Sequence, residues 1–177
     1  MTTKKFKKFA KFLEVFLLLG SAMYTFMTGL LLVMYFFQDH SFSINVPVSG
    51  FGLFKATLNS PVKEDLLLAG LLVNVPVGIT YTIVFFKGSR FFKSLVQNQT
   101  PFSKDNKKLI SRISIVLMIL GLAPSLMYSI ILSSLMTNGY YMRFDIGVSF
   151  VVGAILYCVS EVINYGLELQ QFSDDAV

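Results

Sequence analysis

The chain has no tryptophan, one cysteine and one histidine in 177 residues, and only 14% of its residues are charged. Each scarcity removes a class of function. Cys158 cannot close an intrachain disulfide and reads as a small apolar packing residue. His40 has no cysteine or second histidine beside it, so a metal site lacks its donor set; no metal and no cofactor is expected. No Ser/His/Asp arrangement, phosphate loop or paired-aspartate site occurs, and the chain reads as non-enzymatic. A soluble domain carries about 25% charged residues, so an ordinary hydrated surface is excluded. Without tryptophan, aromatic anchoring at a membrane interface falls to the 18 Phe and 8 Tyr.

What the chain has is long apolar runs. Its hydrophobic content is 54% and its mean hydropathy +0.66. Four runs cover residues 12–37, 66–86, 109–136 and 146–167. Each reaches the roughly 20 residues that cross a hydrocarbon core of about 30 Å at about 1.5 Å per residue. The expectation is an all-α integral membrane four-helix bundle, with 1–177 forming a single membrane domain. The lysine-rich start resembles a signal peptide, and Gly20-Ser21-Ala22 would serve as a small-residue cleavage site. Signal h-regions span only about 7–15 residues, however, and this run continues to Phe37, so an uncleaved span is expected.

The net charge of +5 is distributed asymmetrically. Lys4, Lys5, Lys7, Lys8 and Lys11 precede the first run. Lys87, Arg90, Lys93, Lys104, Lys107, Lys108 and Arg112 surround the connection between the second and third. Only Lys55, Lys63 and Arg143 lie elsewhere. That bias predicts both termini and the loop 87–108 in the cytoplasm, with outer loops 38–65 and 137–145. The basic excess then serves topology and attraction to anionic membrane lipids, and direct nucleic-acid binding is not expected.

Within the first outer loop, Ile44-Asn45-Val46-Pro47-Val48 is extended in character, and Ser49-Gly50-Phe51-Gly52 reads as a turn. The second outer loop reads as a turn at Asn138-Gly139 with Tyr140 and Tyr141 as interfacial anchors. In the cytoplasmic loop, Phe91, Phe92, Leu95 and Val96 share one helical face. Thr100 as N-cap with Pro101 at the first helical position predicts the next helix start.

Three sets of residues are candidates for function. Glu14, Arg112 and Glu161 are ionisable residues within spans, and Asn164 shares a helical face with Glu161. Unpaired charge is costly in lipid, so a buried polar cluster of these four is expected, with Arg112 against the glutamates. Asn74, Pro76 and Pro124 lie near the middle of their spans and mark a midplane ligand site. Pro101, Phe102, Ser103 and Lys104, with Asp174 and Asp175 of the acidic tail, form a candidate cytoplasmic partner surface. Small residues also recur every fourth position as Gly121, Ser125, Ser129 and Ser133, and as Ser21, Thr25 and Gly29; such stripes allow close helix packing in lipid.

The stretch Thr100-Pro101-Phe102-Ser103-Lys104-Asp105-Asn106-Lys107-Lys108-Leu109 resembles the signature of a family of small bacterial membrane proteins with domain of unknown function 2975. So does Tyr165-Gly166-Leu167-Glu168-Leu169-Gln170 with the acidic end Ser173-Asp174-Asp175-Ala176-Val177. Gln99 stands where that family commonly has glycine, and Ala176 where it often has threonine. The resemblance implies a multi-pass protein of the bacterial plasma membrane, without established activity, encoded beside a small helix-turn-helix regulator. The expected function is therefore regulation of, or signalling to, such a partner. The alternatives are an immunity or export accessory protein for an antimicrobial peptide, and a small transporter or ligand sensor. Self-association into a homo-oligomer is left open.

Overall fold

The computed structural model describes residues 3–37, 50–97 and 103–175. Along them run α1 (Thr3–Phe36), β1 (Gly50–Leu58), α2 (Lys63–Val96), α3 (Lys104–Leu135), β2 (Tyr140–Gly147) and α4 (Val148–Asp175). All four of these helices are long and apolar enough to cross a membrane. At 34 residues each, α1 and α2 reach about 51 Å, well beyond a bilayer core. The outward faces of the helices are apolar: Phe26 of α1 is 68% and Ile130 of α3 69% exposed. Water would disfavour such a surface, whereas hydrocarbon would not.

The helices pack as a row. α1 lies on α2, α2 on α3, and α3 on α4. Antiparallel register between α1 and α2 is set by hydroxyls: Ser21 donates to the Thr82 carbonyl (3.2 Å) and Ser89 to the Glu14 carbonyl (3.0 Å). Ala69 and Val73 of α2 pack with Tyr128 and Leu132 of α3, and Val84 packs with Ile113 and Leu117. Between α3 and α4 two glycines permit backbone approach. A Cβ on Gly121 would lie 2.6 Å from Phe150 Cβ, and one on Gly153 2.7 Å from the Ser114 carbonyl oxygen. Either side chain would push the helices apart.

Pro76 and Pro124 lie inside continuous helices. Serine, threonine and asparagine side chains return to carbonyls of their own helix, as in Thr28 to Tyr24 (2.8 Å) and Thr80 to Pro76 (2.7 Å). Among the described residues no fully buried side-chain polar atom lacks a partner, the condition an apolar solvent imposes.

The structure corrects several local expectations. Residues 50–52 belong to β1 rather than a turn; the turn expected at Asn138-Gly139 is present at Thr137-Asn138, and the rest of that loop, 140–147, forms β2. The strands pair antiparallel, from Gly50 opposite Gly147 to Leu58 opposite Tyr140, with a bulge between Gly52 and Phe54. The expected extended segment 44–48 lies outside the described residues, as do His40, Thr100, Pro101 and Phe102. α2 continues through the amphipathic stretch to Val96, with Leu95 buried. α3 starts at Lys104, later than expected: Ser103 is its N-cap, and its hydroxyl accepts from the Asn106 N–H at 3.2 Å. The acidic end is helical as far as Asp175.

Candidate functional site

β2 turns back after α3 and runs along it, held edge-on by the serine stripe. Ser133 Oγ donates to the Tyr141 carbonyl (2.6 Å) and accepts from its N–H (3.0 Å). Ser129 Oγ does the same for Arg143 at 2.9 and 2.8 Å, and Ser125 Oγ for Asp145 at 3.3 Å each way. Gly121 ends the series against Gly147, backbone to backbone. The match is geometric. Four residues of helix rise about 6.0 Å and two residues of strand about 6.6 Å, so every fourth side chain meets every second strand residue. An open strand edge is thereby satisfied without a third strand. The stripe expected to pack helices instead docks a strand at its serines, and Gly121 also meets α4 at Phe150.

Arg143 and Asp145 protrude from the same face of β2 and form an ion pair through Nε and Oδ2. Asp145 is 2% exposed, while the Arg143 side chain keeps 35% of its surface open. Burial pulls the guanidinium pKa down, but the Asp145 charge and hydrogen bond, with Tyr141, outweigh it and hold Arg143 above its ordinary value. No sequence expectation singled out this pair; the alternation of residues 140–146 was its available signal.

A cavity of about 530 Å³ opens between α1, α2 and α3 near mid-length, within the size range of small-molecule sites. Its walls include Tyr24 and Thr28 of α1, Asn74, Gly78 and Tyr81 of α2, and Pro124 of α3. Tyr24 stacks on Tyr81 (5.0 Å between centroids) and on Phe85 (5.4 Å). The Tyr81 hydroxyl is hydrogen-bonded to Ser149 Oγ, which ties this wall to the first turn of α4. Asn74 is 7% exposed and donates its Nδ2 to the Gly70 carbonyl at 2.8 Å. The expected midplane site thus keeps Asn74 and Pro124. Pro76 is excluded: it is exposed on the far face of α2.

The expected charge cluster does not form. Arg112 and Glu161 are exposed, Glu14 and Asn164 are half-buried, and the ion pair found among the described residues is Arg143–Asp145. Asn164 instead donates to Glu168 Oε1 at 2.9 Å along its own helix. The physical reason is facing, not height. Ser89 sets Glu14 about two turns before the end of α2, and Gly153 opposite Ser114 and Met118 sets Glu161 within about a turn of Arg112. All lie near the basic end, where Arg112 can extend outward. The candidate partner surface also divides. Ser103 is a cap and Lys104 is exposed. From the same register α4 outruns the start of α3 by about ten residues, or about 15 Å. Asp174 and Asp175 therefore stand beyond Lys104, not beside it.

Comparisons with protein-family models, with curated proteins and with solved structures give no match.

Proposed function

We propose that the chain is a multi-pass regulatory protein of the bacterial plasma membrane, both termini cytoplasmic, which binds a lipophilic ligand inside the bilayer. It belongs, on this reading, with the small membrane proteins of domain of unknown function 2975. The observation that carries the proposal is the cavity. It lies near the mid-length of α1, α2 and α3, its walls are mostly apolar, and one wall is hydrogen-bonded to the start of α4. Occupancy changes the packing of Tyr81, and α4 relays that change to the cytoplasm. The far end of α4, projecting past α3, is the contact for a small helix-turn-helix regulator. No reaction chemistry is assigned.

Deleting residues 172–177 should release the regulator and alter its target genes with insertion intact, and Val77→Phe, which fills the cavity, should make those genes unresponsive to the ligand. Unchanged transcription in both variants would remove the regulatory reading. A second reading, immunity to an antimicrobial peptide, is favoured by one observation. β1 presents Phe51, Leu53 and Phe54 outward, each more than half exposed, and β2 is its one strand partner among the described residues. A peptide strand could add to that edge.

A further inference from the structure

The cavity's polar groups restrict what it can hold. Among the described residues, no Asp, Glu, Lys, Arg or His lines it. A charged headgroup placed there would be desolvated without a counter-ion. The ligand is therefore neutral where it meets the protein. The hydrogen-bonding inventory narrows it further. The Thr28 hydroxyl spends its proton on the Tyr24 carbonyl, and the Tyr81 hydroxyl is engaged with Ser149. Asn74 spends one of its two amide protons on Gly70, and no described residue donates to its Oδ1. Because no fully buried side-chain polar atom is left unpartnered, that Oδ1 reaches accessible space, and the space beside Asn74 is the cavity. Asn74 Oδ1 and Thr28 Oγ1 thus offer acceptors beside the second Asn74 amide proton and the Tyr24 hydroxyl as donors, so a ligand hydroxyl, which both donates and accepts, matches these walls better than a group that only accepts.

We infer that the site takes an uncharged single-chain lipophile that donates a hydrogen bond, such as a long-chain alcohol or a monoacylglycerol, with its hydroxyl on Asn74 Oδ1. The inference rests on the proposed ligand-binding reading and names its chemical class. The chain packs along Met23, Met27 and Leu120, flexible side chains suited to an aliphatic partner. An ether or ester of the same chain fits the same walls but leaves the Asn74 acceptor unmet.

The absence of tryptophan supplies the assay. Met23, 63% exposed at the cavity mouth, is replaced as Met23→Trp in the full chain, in phosphatidylcholine nanodiscs. Quenching by brominated octadecanol is compared with that by its methyl ether, by the matching fatty acid and by the matching amine. Unbrominated octadecanol and monooleoylglycerol serve as competitors and tell a free alcohol from a glycerolipid hydroxyl. The expected result is saturable quenching by the alcohol, about five- to tenfold tighter than by the ether, as one hydrogen bond warrants. In Asn74→Leu the two should bind alike. Equal binding of alcohol and ether by the otherwise unaltered chain overturns the donor inference and leaves the cavity reading standing. Tighter binding of the acid or amine overturns neutrality. Quenching by every probe no greater than random contact in the bilayer overturns the cavity reading itself. The alcohol–ether comparison needs no change at Asn74, so it decides even if that variant fails to fold.

Discussion

Removing the Ser129 hydroxyl should loosen the strand that α3 holds. Ser129 is 6% exposed and both accepts from and donates to Arg143. Ser129→Ala leaves that N–H and C=O without partners in a place water does not reach. Each orphaned group costs about 1–3 kcal/mol. The serine proton is shared with the Ser125 carbonyl at 2.8 Å, so the carbonyl's loss is partial. Alanine also returns about 0.5 kcal/mol in helix propensity. The net is a destabilisation of about 2–4 kcal/mol. Ser133→Ala, at a half-exposed site, should cost about 1 kcal/mol, since water replaces part of the loss. Amide hydrogen exchange in nanodiscs is the direct assay, because the lost partner belongs to the Arg143 amide. Ser129→Ala should speed exchange at residues 141–145 while the α1–α2 pair keeps its protection. Unchanged protection across β2, with a stability loss below about 0.5 kcal/mol, would refute the claim that hydroxyls satisfy the strand edge.

Three further outcomes follow from the same geometry. Arg143→Met strands the buried Asp145 carboxylate and should cost about 3–5 kcal/mol, whereas Asp145→Asn leaves a cation that can reach water and should cost about 1–2 kcal/mol; chemical or thermal unfolding in detergent gives the order, and the reverse order contradicts it. Arg112→Gln and Glu161→Gln should each change stability by less than about 0.5 kcal/mol and combine additively; a double-mutant coupling above about 1 kcal/mol would restore the cluster. With Cys158 replaced by alanine, a cysteine at Asn138 should react with an impermeant thiol reagent in intact cells and one at Ser103 should not, as the charge bias requires.

The helices were legible because apolar length is a one-dimensional property. Residues 66–86 and 109–136 announce themselves wherever their neighbours lie, and the start of α3 was misplaced only from Ser103 to Thr100. The ribbon was not legible. Its two strands are separated by α2 and α3, and pairing Phe54 with Phe144 is a long-range fact that no local window carries. The serine stripe was visible, but four-residue spacing fits a helix partner and a strand partner alike. The height of Arg112, Glu14 and Glu161 could be read from span positions, yet their facing depends on how the helices rotate against one another. Asn74 and Pro124, both on the cavity wall, stand out in the sequence because a polar side chain and a missing backbone N–H are conspicuous at mid-span; Tyr24 and Tyr81 carry no such signal.

On the proposed function, the cavity between α1, α2 and α3 should hold a lipophile in the native membrane. The most direct measurement is mass spectrometry of what remains bound to the protein purified from its own membrane in mild detergent, compared with Val77→Phe purified identically. A neutral lipophilic species, about equimolar with the chain, should be retained by the native protein and lost from the cavity-filled variant at unchanged fold and yield. Identical profiles for the two proteins, each mirroring the bulk membrane lipids, would contradict the proposed function.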